Sequence, residues 1–272
     1  MSASAPGDAN GLPARERAAW RAVTLPAEHG GWGLTAEPAL LGLLVAPSWA
    51  GAALAVAAFV AFVVRTPLKL VLVDRWRHRR LPRSRLATRI AAVELVILLA
   101  LAVVAASRAG WEWLVPIVVA APLVGVELWF DMRSHGRRLI PELCGAVGIA
   151  AVAASVALAG GASARLAAAL WLVLVARSIA AIPFVRVQIA RLHHGFARVS
   201  VSDRAQLVGA AVAVTAVVVD PAVAAGALAV AALLVAQVIW VRRPPVPAKV
   251  LGLRQLVLGL AIVAITAAGV LA

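Results

Sequence analysis

The sequence predicts an all-α fold, a polytopic transmembrane bundle of about nine helices. The first indication is composition: 63% of the 272 residues are hydrophobic and only 14% are charged, whereas soluble domains carry about 25% charged residues. A soluble domain of this length has too little interior for so much apolar surface, but lipid can cover it. The second indication is the recurrence of long apolar stretches between short polar connections, since a helix needs about 20 residues to cross the hydrocarbon core.

The chain is predicted to have two parts. Residues 1–24 are polar and basic and are expected to form a cytoplasmic tail. Because Trp20 lies among three arginines, this tail is expected either to lie along the membrane surface or to be disordered. Residues 25–272 are predicted to form a single transmembrane helical domain.

The apolar stretches define the predicted spans. The first and the seventh are short for a membrane-spanning helix, which leaves open whether the chain crosses the membrane eight or nine times. The predicted spans are 33–47, 50–73, 87–106, 113–129, 141–159, 166–189, 205–219, 222–241 and 253–271.

The basic residues are distributed unevenly between the two sides of this arrangement. Of the 26 Lys and Arg residues, all but Arg108 and Arg165 fall in alternate connections or in the halves of spans that lead into them. Because cationic loops are retained in the cytoplasm during insertion, this pattern predicts an inside N-terminus and a multi-pass protein of the inner (plasma) membrane. The net charge of +14 is then explained by topology and by attraction to the lipid bilayer, and nucleic-acid binding is not expected.

Three cations lie within otherwise apolar stretches: Arg65, Lys69 and Arg177. Each would cost about 2.5–3.5 kcal/mol at the centre of a lipid-facing helix. Arg65 and Lys69 are four residues apart and leave one helix face, and Pro67 between them favours a kink. This combination predicts an anion site, with snorkelling to the headgroups as the alternative. For Arg177 the alternative is a buried structural ion pair.

Several carboxylates are candidate partners for these cations, but the sequence does not indicate which pairs form. Asp74 is expected to neutralise Arg75 or Arg77. Glu127 and Asp131 share a helix face and are expected to form a surface salt-bridge group. The candidate buried acids are Glu37, Glu94, Glu127 and Glu142.

The segment Leu25-Pro26-Ala27-Glu28-His29-Gly30-Gly31-Trp32 directly precedes the first span. Its proline and glycines predict a shaped, non-helical lead-in, either a plain interfacial turn or a functional segment. Glu28 and His29 supply a carboxylate and an imidazole that can transfer protons or hold a ligand. The glycines would let another helix or a ligand approach the backbone closely.

No metal site is predicted. The adjacent His193 and His194 would point about 100° apart on a helix, so they are poorly placed to share one ion. Cys144 is the single cysteine of the chain, which excludes an internal disulfide and a zinc site built from cysteines. The sequence implies no particular cofactor.

The lead-in segment, followed by Glu37-Pro38 and Leu41-Gly42-Leu43, resembles the opening of the YwiC-like family of bacterial membrane proteins. The element Arg65-Thr66-Pro67-Leu68-Lys69 is similar to the next polar block of that family. The resemblance is expected to cover residues 24–271. It implies a multi-pass membrane protein but no particular reaction.

A more distant likeness is to the UbiA superfamily of intramembrane prenyltransferases, which have nine helices, an inside N-terminus and active-site loops after the second and sixth helices. Those enzymes bind magnesium through two motifs, N-D-x-x-D-x-x-x-D and D-x-x-x-D. Near the first position this chain has Arg65, Lys69 and only Asp74, and near the second it has no acid until Asp203. Guanidinium groups bind phosphate directly, so metal-dependent prenyl transfer is doubtful and whether the chain is an enzyme stays open.

The leading hypothesis is therefore a UbiA-like scaffold that binds an amphipathic anion, a phosphorylated isoprenoid or an anionic lipid, in a cytoplasm-facing cavity. The alternatives are a transporter or permease, and a membrane assembly factor that docks a partner through its basic inner loops. The predicted ligand-binding residues are Glu28, His29, Trp32, Arg65, Lys69, Asp74, Glu142, Arg177 and Arg186.

Overall fold

The computed structural model describes residues 29–79 and 81–272. Over these residues the regular structure is entirely helical, which confirms the predicted fold class. The 3₁₀ turn Pro221–Val223 leads directly into the helix that begins at Ala224. The α-helices are α1 (His29–Val45), α2 (Trp49–Trp76), α3 (Pro82–Ala109), α4 (Leu114–Met132), α5 (Leu139–Ala159), α6 (Ala164–His194), α7 (Val199–Val219), α8 (Ala224–Trp240) and α9 (Ala248–Leu271).

Eight of the described helices are long and apolar enough to cross a membrane, while the apolar part of α1, Gly31–Val45, is shorter. The protein is therefore a multi-pass membrane protein. The seventh span, predicted from residue 205, belongs to a helix that begins at Val199 and is long enough to cross. Whether the chain crosses the membrane eight or nine times depends on α1, because its apolar part is short.

The two basic connections that follow the second and the sixth predicted spans are mostly helical. α2 runs through Pro67 to Trp76 and α3 begins at Pro82, so the connection between predicted spans 50–73 and 87–106 is shortened to 77–81. The connection between predicted spans 166–189 and 205–219 is shortened to 195–198, where Gly195 ends α6 with a φ of 72°. Arginine is a good helix former. The point where the sequence stops being apolar is therefore the end of the apolar stretch, while the helix itself continues.

Alternate connections lie at the same end of the bundle. Arg77 Nη2 donates to Ser134 Oγ over 2.8 Å, which joins the α2–α3 and α4–α5 connections. Arg191 Nη1 donates over 3.0 Å to the carbonyl oxygen of Arg243, which joins the end of α6 to the α8–α9 connection. We call this the basic end, because the described cations other than Arg108, Arg165 and Arg177 lie at or near it.

The opposite end holds the remaining connections. Ser48 Oγ donates to the Ala159 carbonyl oxygen over 3.3 Å, which places the start of α2 beside the end of α5. Arg165 Nη2 donates to the Val219 carbonyl oxygen over 3.0 Å, which places the start of α6 beside the end of α7. The contacts at the two ends confirm the up-and-down helix order that the charge pattern indicated.

The core is built around α5 and α6 from small residues. Ala153, Ala157 and Ala176 are fully buried, and a Cβ added to Gly42 of α1 would lie 2.6 Å from Val156 Cβ of α5. Because lipid tails are as apolar as the helices, close backbone approach is what drives association of membrane helices. These contacts place α1, despite its short length, against the centre of the bundle.

Candidate functional site

Four charged side chains join α2 to α4 near the basic end, and we call them the α2–α4 cluster: Arg65, Lys69, Glu127 and Asp131. Arg65 Nη2 lies 2.8 Å from Glu127 Oε1 and 3.1 Å from Asp131 Oδ2. Lys69 Nζ lies 2.8 Å from Asp131 Oδ1. The Asp131 side chain is 0% exposed, so this carboxylate serves two cations inside the protein.

The sequence explains the cluster only in part. The four-residue spacing places Arg65 and Lys69 on one face of α2, and Glu127 and Asp131 on one face of α4, as predicted. The expectation of a surface salt-bridge group was wrong, because α5 and the α4–α5 connection cover the carboxylates. A Cβ on Gly145 or on Gly136 would overlap a carboxylate oxygen of Glu127 or Asp131, respectively. Glycine at these two positions lets the backbone cover the charges.

Asp74 pairs with Arg83 and not with Arg75 or Arg77, which corrects the prediction. Arg83 Nη2 lies 3.1 Å from Asp74 Oδ1, and Ser84 Oγ donates to Asp74 Oδ2 over 2.6 Å. The reason is that the next helix starts directly after a short turn, so its first turn returns to the last turn of α2. Arg75, one position after Asp74, points to another side of the helix, and Arg77 donates instead to Ser134 Oγ.

A second polar centre lies among α1, α6 and α9. Arg177 Nη2 is 2.8 Å from Glu37 Oε1, with side chains 4% and 3% exposed, and it donates over 2.9 Å to the carbonyl oxygen of Gln255. Arg177 Nε and the side-chain amide of Gln255 are buried without a hydrogen-bond partner in the part of the chain that the structure describes. Arg177 thus has the buried ion pair that the sequence left as an alternative.

The remaining predicted acids differ in their surroundings. Arg186 Nη1 lies 2.7 Å from Glu142 Oε2, with side chains 40% and 35% exposed, and it also donates to the Arg137 carbonyl oxygen over 2.9 Å. Glu94 Oε2 is buried and has no hydrogen-bond partner among residues 29–79 and 81–272. The structure therefore assigns three of the four candidate acids to separate cations.

The lead-in segment is described only from His29 onward, and Glu28 lies outside the described residues. His29 is the first residue of α1, so the prediction of a non-helical lead-in is wrong for residues 29–32. The predicted close approach is confirmed at Gly31, where a Cβ would overlap the Phe62 ring of α2. Trp32 packs on the same ring, with centroids 5.0 Å apart.

The predicted ligand-binding residues Arg65, Lys69, Asp74, Glu142, Arg177 and Arg186 are thus divided among separate ion pairs. Two open depressions of about 420 Å³ each are present on the bundle surface, and neither is lined by Arg65, Lys69 or Arg177. Among the described residues, no three His, Cys, Asp or Glu side chains are grouped so that they could hold a metal ion. The expectation of a cavity lined by these cations remains a prediction.

One of the depressions lies at the basic end, and we call it the α2–α4 groove. It is lined by Leu72, Arg75, Trp76, His78 and Met132. None of these residues was predicted as a site residue. The sequence does contain a signal for this groove. Arg75-Trp76-Arg77 lies at the end of α2, and Trp129 and Arg133, four residues apart, lie at the end of α4. Arginine and tryptophan together at helix ends are typical of the membrane interface.

A substitution at Gly259 tests the geometry of the polar centre around Arg177 and Glu37. A Cβ there would overlap Glu37 Oε1 and lie 2.5 Å from Arg177 Nη2. We therefore expect Gly259→Ala to lower the free energy of unfolding by about 1–3 kcal/mol, as overpacking does in other cores. Gly252→Ala in the same helix meets nothing within 4 Å and is the matched control. Equal unfolding curves for the two variants in detergent would contradict the arrangement.

A comparison with known protein families agrees with the resemblance that the sequence motifs predicted. Residues 25–157 match the family model described as YwiC-like protein. This range contains α1 to α4, the α2–α4 cluster and most of α5, whereas the resemblance was expected to extend to residue 271. No curated protein and no solved structure matches the chain, so the UbiA-like arrangement remains a prediction. With the lead-in and the Arg65–Lys69 element inside the matched range, the chain is similar over residues 25–157 to the YwiC-like family, the family that the sequence motifs indicated.

Proposed function

We propose that this YwiC-like protein binds an anionic amphiphile, a phosphorylated isoprenoid or an anionic lipid, at its basic end. The observation that carries the proposal is the excess of exposed cations there. The buried carboxylates Asp74 and Asp131 already have cationic partners. The exposed cations of the basic end include Arg75, Arg77, Arg79, Arg85, Arg89, Arg133, Arg137, Arg138, Arg198, Arg204, Arg243 and Lys249.

The position of these cations favours an amphiphile over a soluble anion. They lie at the ends of helices whose outer surfaces are apolar, such as α3 with Val93, Val96 and Leu99 exposed. A bound molecule would place its charged head among the arginines while its chain stays beside the helices. Each Lys or Arg near an anionic membrane surface contributes about 1 kcal/mol of attraction.

The proposal changes the roles expected for four cations. Arg65, Lys69, Arg177 and Arg186 were expected to hold the anionic head, but each lies against a carboxylate of the chain. In the refined proposal, these ion pairs fix the helices that carry the exposed arginines. Glu28 lies outside the described residues, and Glu28 and His29 stay predicted ligand-binding residues.

We further propose that the basic end faces the cytoplasm and that the protein resides in the plasma membrane with its N-terminus inside. Support comes from the retention of cationic connections on the cytoplasmic side during insertion. Arg108 and Arg165, at the opposite end, would then be the exported cations. In this orientation the basic end meets the leaflet that carries anionic lipid.

Native mass spectrometry of gently extracted protein tests the proposed function. We expect the protein to retain phosphatidylglycerol in preference to phosphatidylcholine when both are present at equal concentration. A variant with Arg75, Arg79 and Arg137 replaced by Gln should lose most of this preference, while Arg108→Gln at the opposite end should keep it. Equal retention of the two lipids by the unmodified protein would refute the proposal.

A second candidate function, solute transport, is favoured by the centre around Arg177. A buried ion pair with further unpartnered polar atoms inside a membrane bundle is typical of substrate or ion pathways. The atoms concerned are Arg177 Nε and the side-chain amide of Gln255. Solute counterflow in vesicles that is abolished by Gln255→Leu would favour transport over lipid binding.

A further inference from the structure

We propose that the α2–α4 groove is the seat of the anionic head, and that its occupant is a membrane lipid with a phosphate headgroup. This inference rests on the proposed function and assigns it to one place. The groove has a volume of about 420 Å³, within the range of about 300–1,000 Å³ that is usual for small-molecule sites. It is open to the surface, as a lipid that enters from the bilayer requires.

The lining of the groove matches both parts of a lipid. Leu72 and Met132 supply apolar surface toward the bundle, while Arg75 and His78 are exposed at its rim. The guanidinium of Arg75 can donate two parallel hydrogen bonds to a phosphate. A lipid bound here would direct its chain along the apolar surface of α2 and its phosphate toward Arg75.

The groove wall is held in place by aromatic contacts. The rings of Trp76 and Trp129 meet edge to face with centroids 6.3 Å apart. The guanidinium carbon of Arg133 lies 4.2 Å from the centre of the Trp129 ring and 5.5 Å from that of Trp76. These cation–π contacts keep Arg133 next to the groove, where its remaining N–H donors extend the cationic rim.

The backbone beside the groove adopts an uncommon conformation. His78 and Ser134 have φ values of 51° and 61° and are the non-glycine residues with positive φ in the described part of the chain. They follow the ends of α2 and α4, and Arg77 Nη2 links the two turns through Ser134 Oγ. A residue in this conformation commonly ends an α-helix, and here the two helix-end turns are joined beside the groove.

The electrostatic balance favours an anion as the occupant. The nearest carboxylates along the helices are Asp74 and Asp131, and both are buried against other cations: Arg83 for the first, Arg65 and Lys69 for the second. Arg75, at the groove rim, has no ion pair with a carboxylate among the residues that the structure describes. Because the groove lies at the end of membrane helices, the anion available at highest concentration is a lipid headgroup.

The test compares two arginines of the same end. In mixed micelles, the affinity of Arg75→Gln for phosphatidylglycerol is expected to fall about tenfold, as the loss of a charge-assisted bidentate contact implies. Arg85→Gln removes another exposed cation outside the groove lining and should change the affinity less than twofold. Leu72→Trp, which fills the groove without changing charge, should weaken binding as much as Arg75→Gln.

The possible results distinguish a failure of the groove assignment from a failure of the proposed function. If Arg75→Gln and Arg85→Gln weaken binding equally and Leu72→Trp has no effect, the lipid binds a diffuse basic surface, and the groove assignment fails while the proposed function stands. If the unmodified protein shows no preference for phosphatidylglycerol over phosphatidylcholine, the proposed function itself fails. If millimolar inorganic phosphate displaces the lipid completely, the groove recognises free phosphate and the lipid assignment is wrong.

Discussion

Replacing Arg177 with Met is expected to lower the free energy of unfolding by about 3–5 kcal/mol, because Glu37 then stays buried without its cation. The pair is almost completely enclosed, with side chains 4% and 3% exposed, so water cannot replace the lost partner. Glu37→Leu should be destabilising for the same reason, since it leaves the guanidinium alone. The measurement is denaturant unfolding of the purified protein in mixed micelles.

The double variant Glu37→Leu with Arg177→Met distinguishes a charge effect from a packing effect. Because it removes both charges and keeps apolar volume, it should recover most of the lost stability. Arg186→Met is the matched control, since the Arg186–Glu142 pair is 40% and 35% exposed and such pairs contribute about 0–1 kcal/mol. The buried-pair interpretation would be wrong if Arg177→Met were as mild as Arg186→Met.

The fold could be predicted because two of its signals are local. Apolar stretches and the end of the bundle at which cations fall depend on the sequence directly, so the helical fold class and the grouping of cations at one end were predicted correctly. Helix ends were less predictable, since Arg83 and Arg85 suit a helix as well as a loop. The lead-in was wrong at His29 because glycine and proline near a helix start do not prevent helix formation once the chain packs on Phe62.

The ion pairs could not be predicted because they depend on packing between distant segments. Lys69 and Asp131 are 62 positions apart in the chain, and Arg177 and the Gln255 carbonyl are 78 apart. The spacing of Glu127 and Asp131 indicated their common face but not what covers it. The burial of that face depends on Gly136 and Gly145, whose small size becomes meaningful only when the neighbouring helix is known.

The same dependence explains why the groove was missed. Its lining combines residues from the end of α2 with Met132 from the end of α4, which no local pattern connects. The two polar centres have a common design: a glycine on a neighbouring segment gives a buried carboxylate room beside its cation, as Gly259 does for Glu37 and Gly136 for Asp131. In a bundle held together by small residues, such positions are where charges can be enclosed.

Asp131→Ala is expected to have the second largest effect, a loss of about 3 kcal/mol in the free energy of unfolding. Its carboxylate is 0% exposed and contacts both Lys69 and Arg65, so its removal leaves the ammonium of Lys69 without that carboxylate and removes one contact of Arg65. Because Lys69 is 37% exposed, it can partly turn to water or headgroups, which places the loss below that of Arg177→Met.

The comparison variant is Asp203→Ala, which breaks an exposed ion pair with Arg242. In this pair, Arg242 Nη2 lies 2.9 Å from Asp203 Oδ2. Solvent screens that pair, so its loss should leave the unfolding curve nearly unchanged. The variant Asp131→Ala with Lys69→Met should be more stable than Asp131→Ala alone, because the stranded ammonium is gone. If Asp131→Ala unfolds at the same denaturant concentration as Asp203→Ala, the α2–α4 cluster does not hold the two helices together. The arginines on α2 and α4 would then need another means of being positioned.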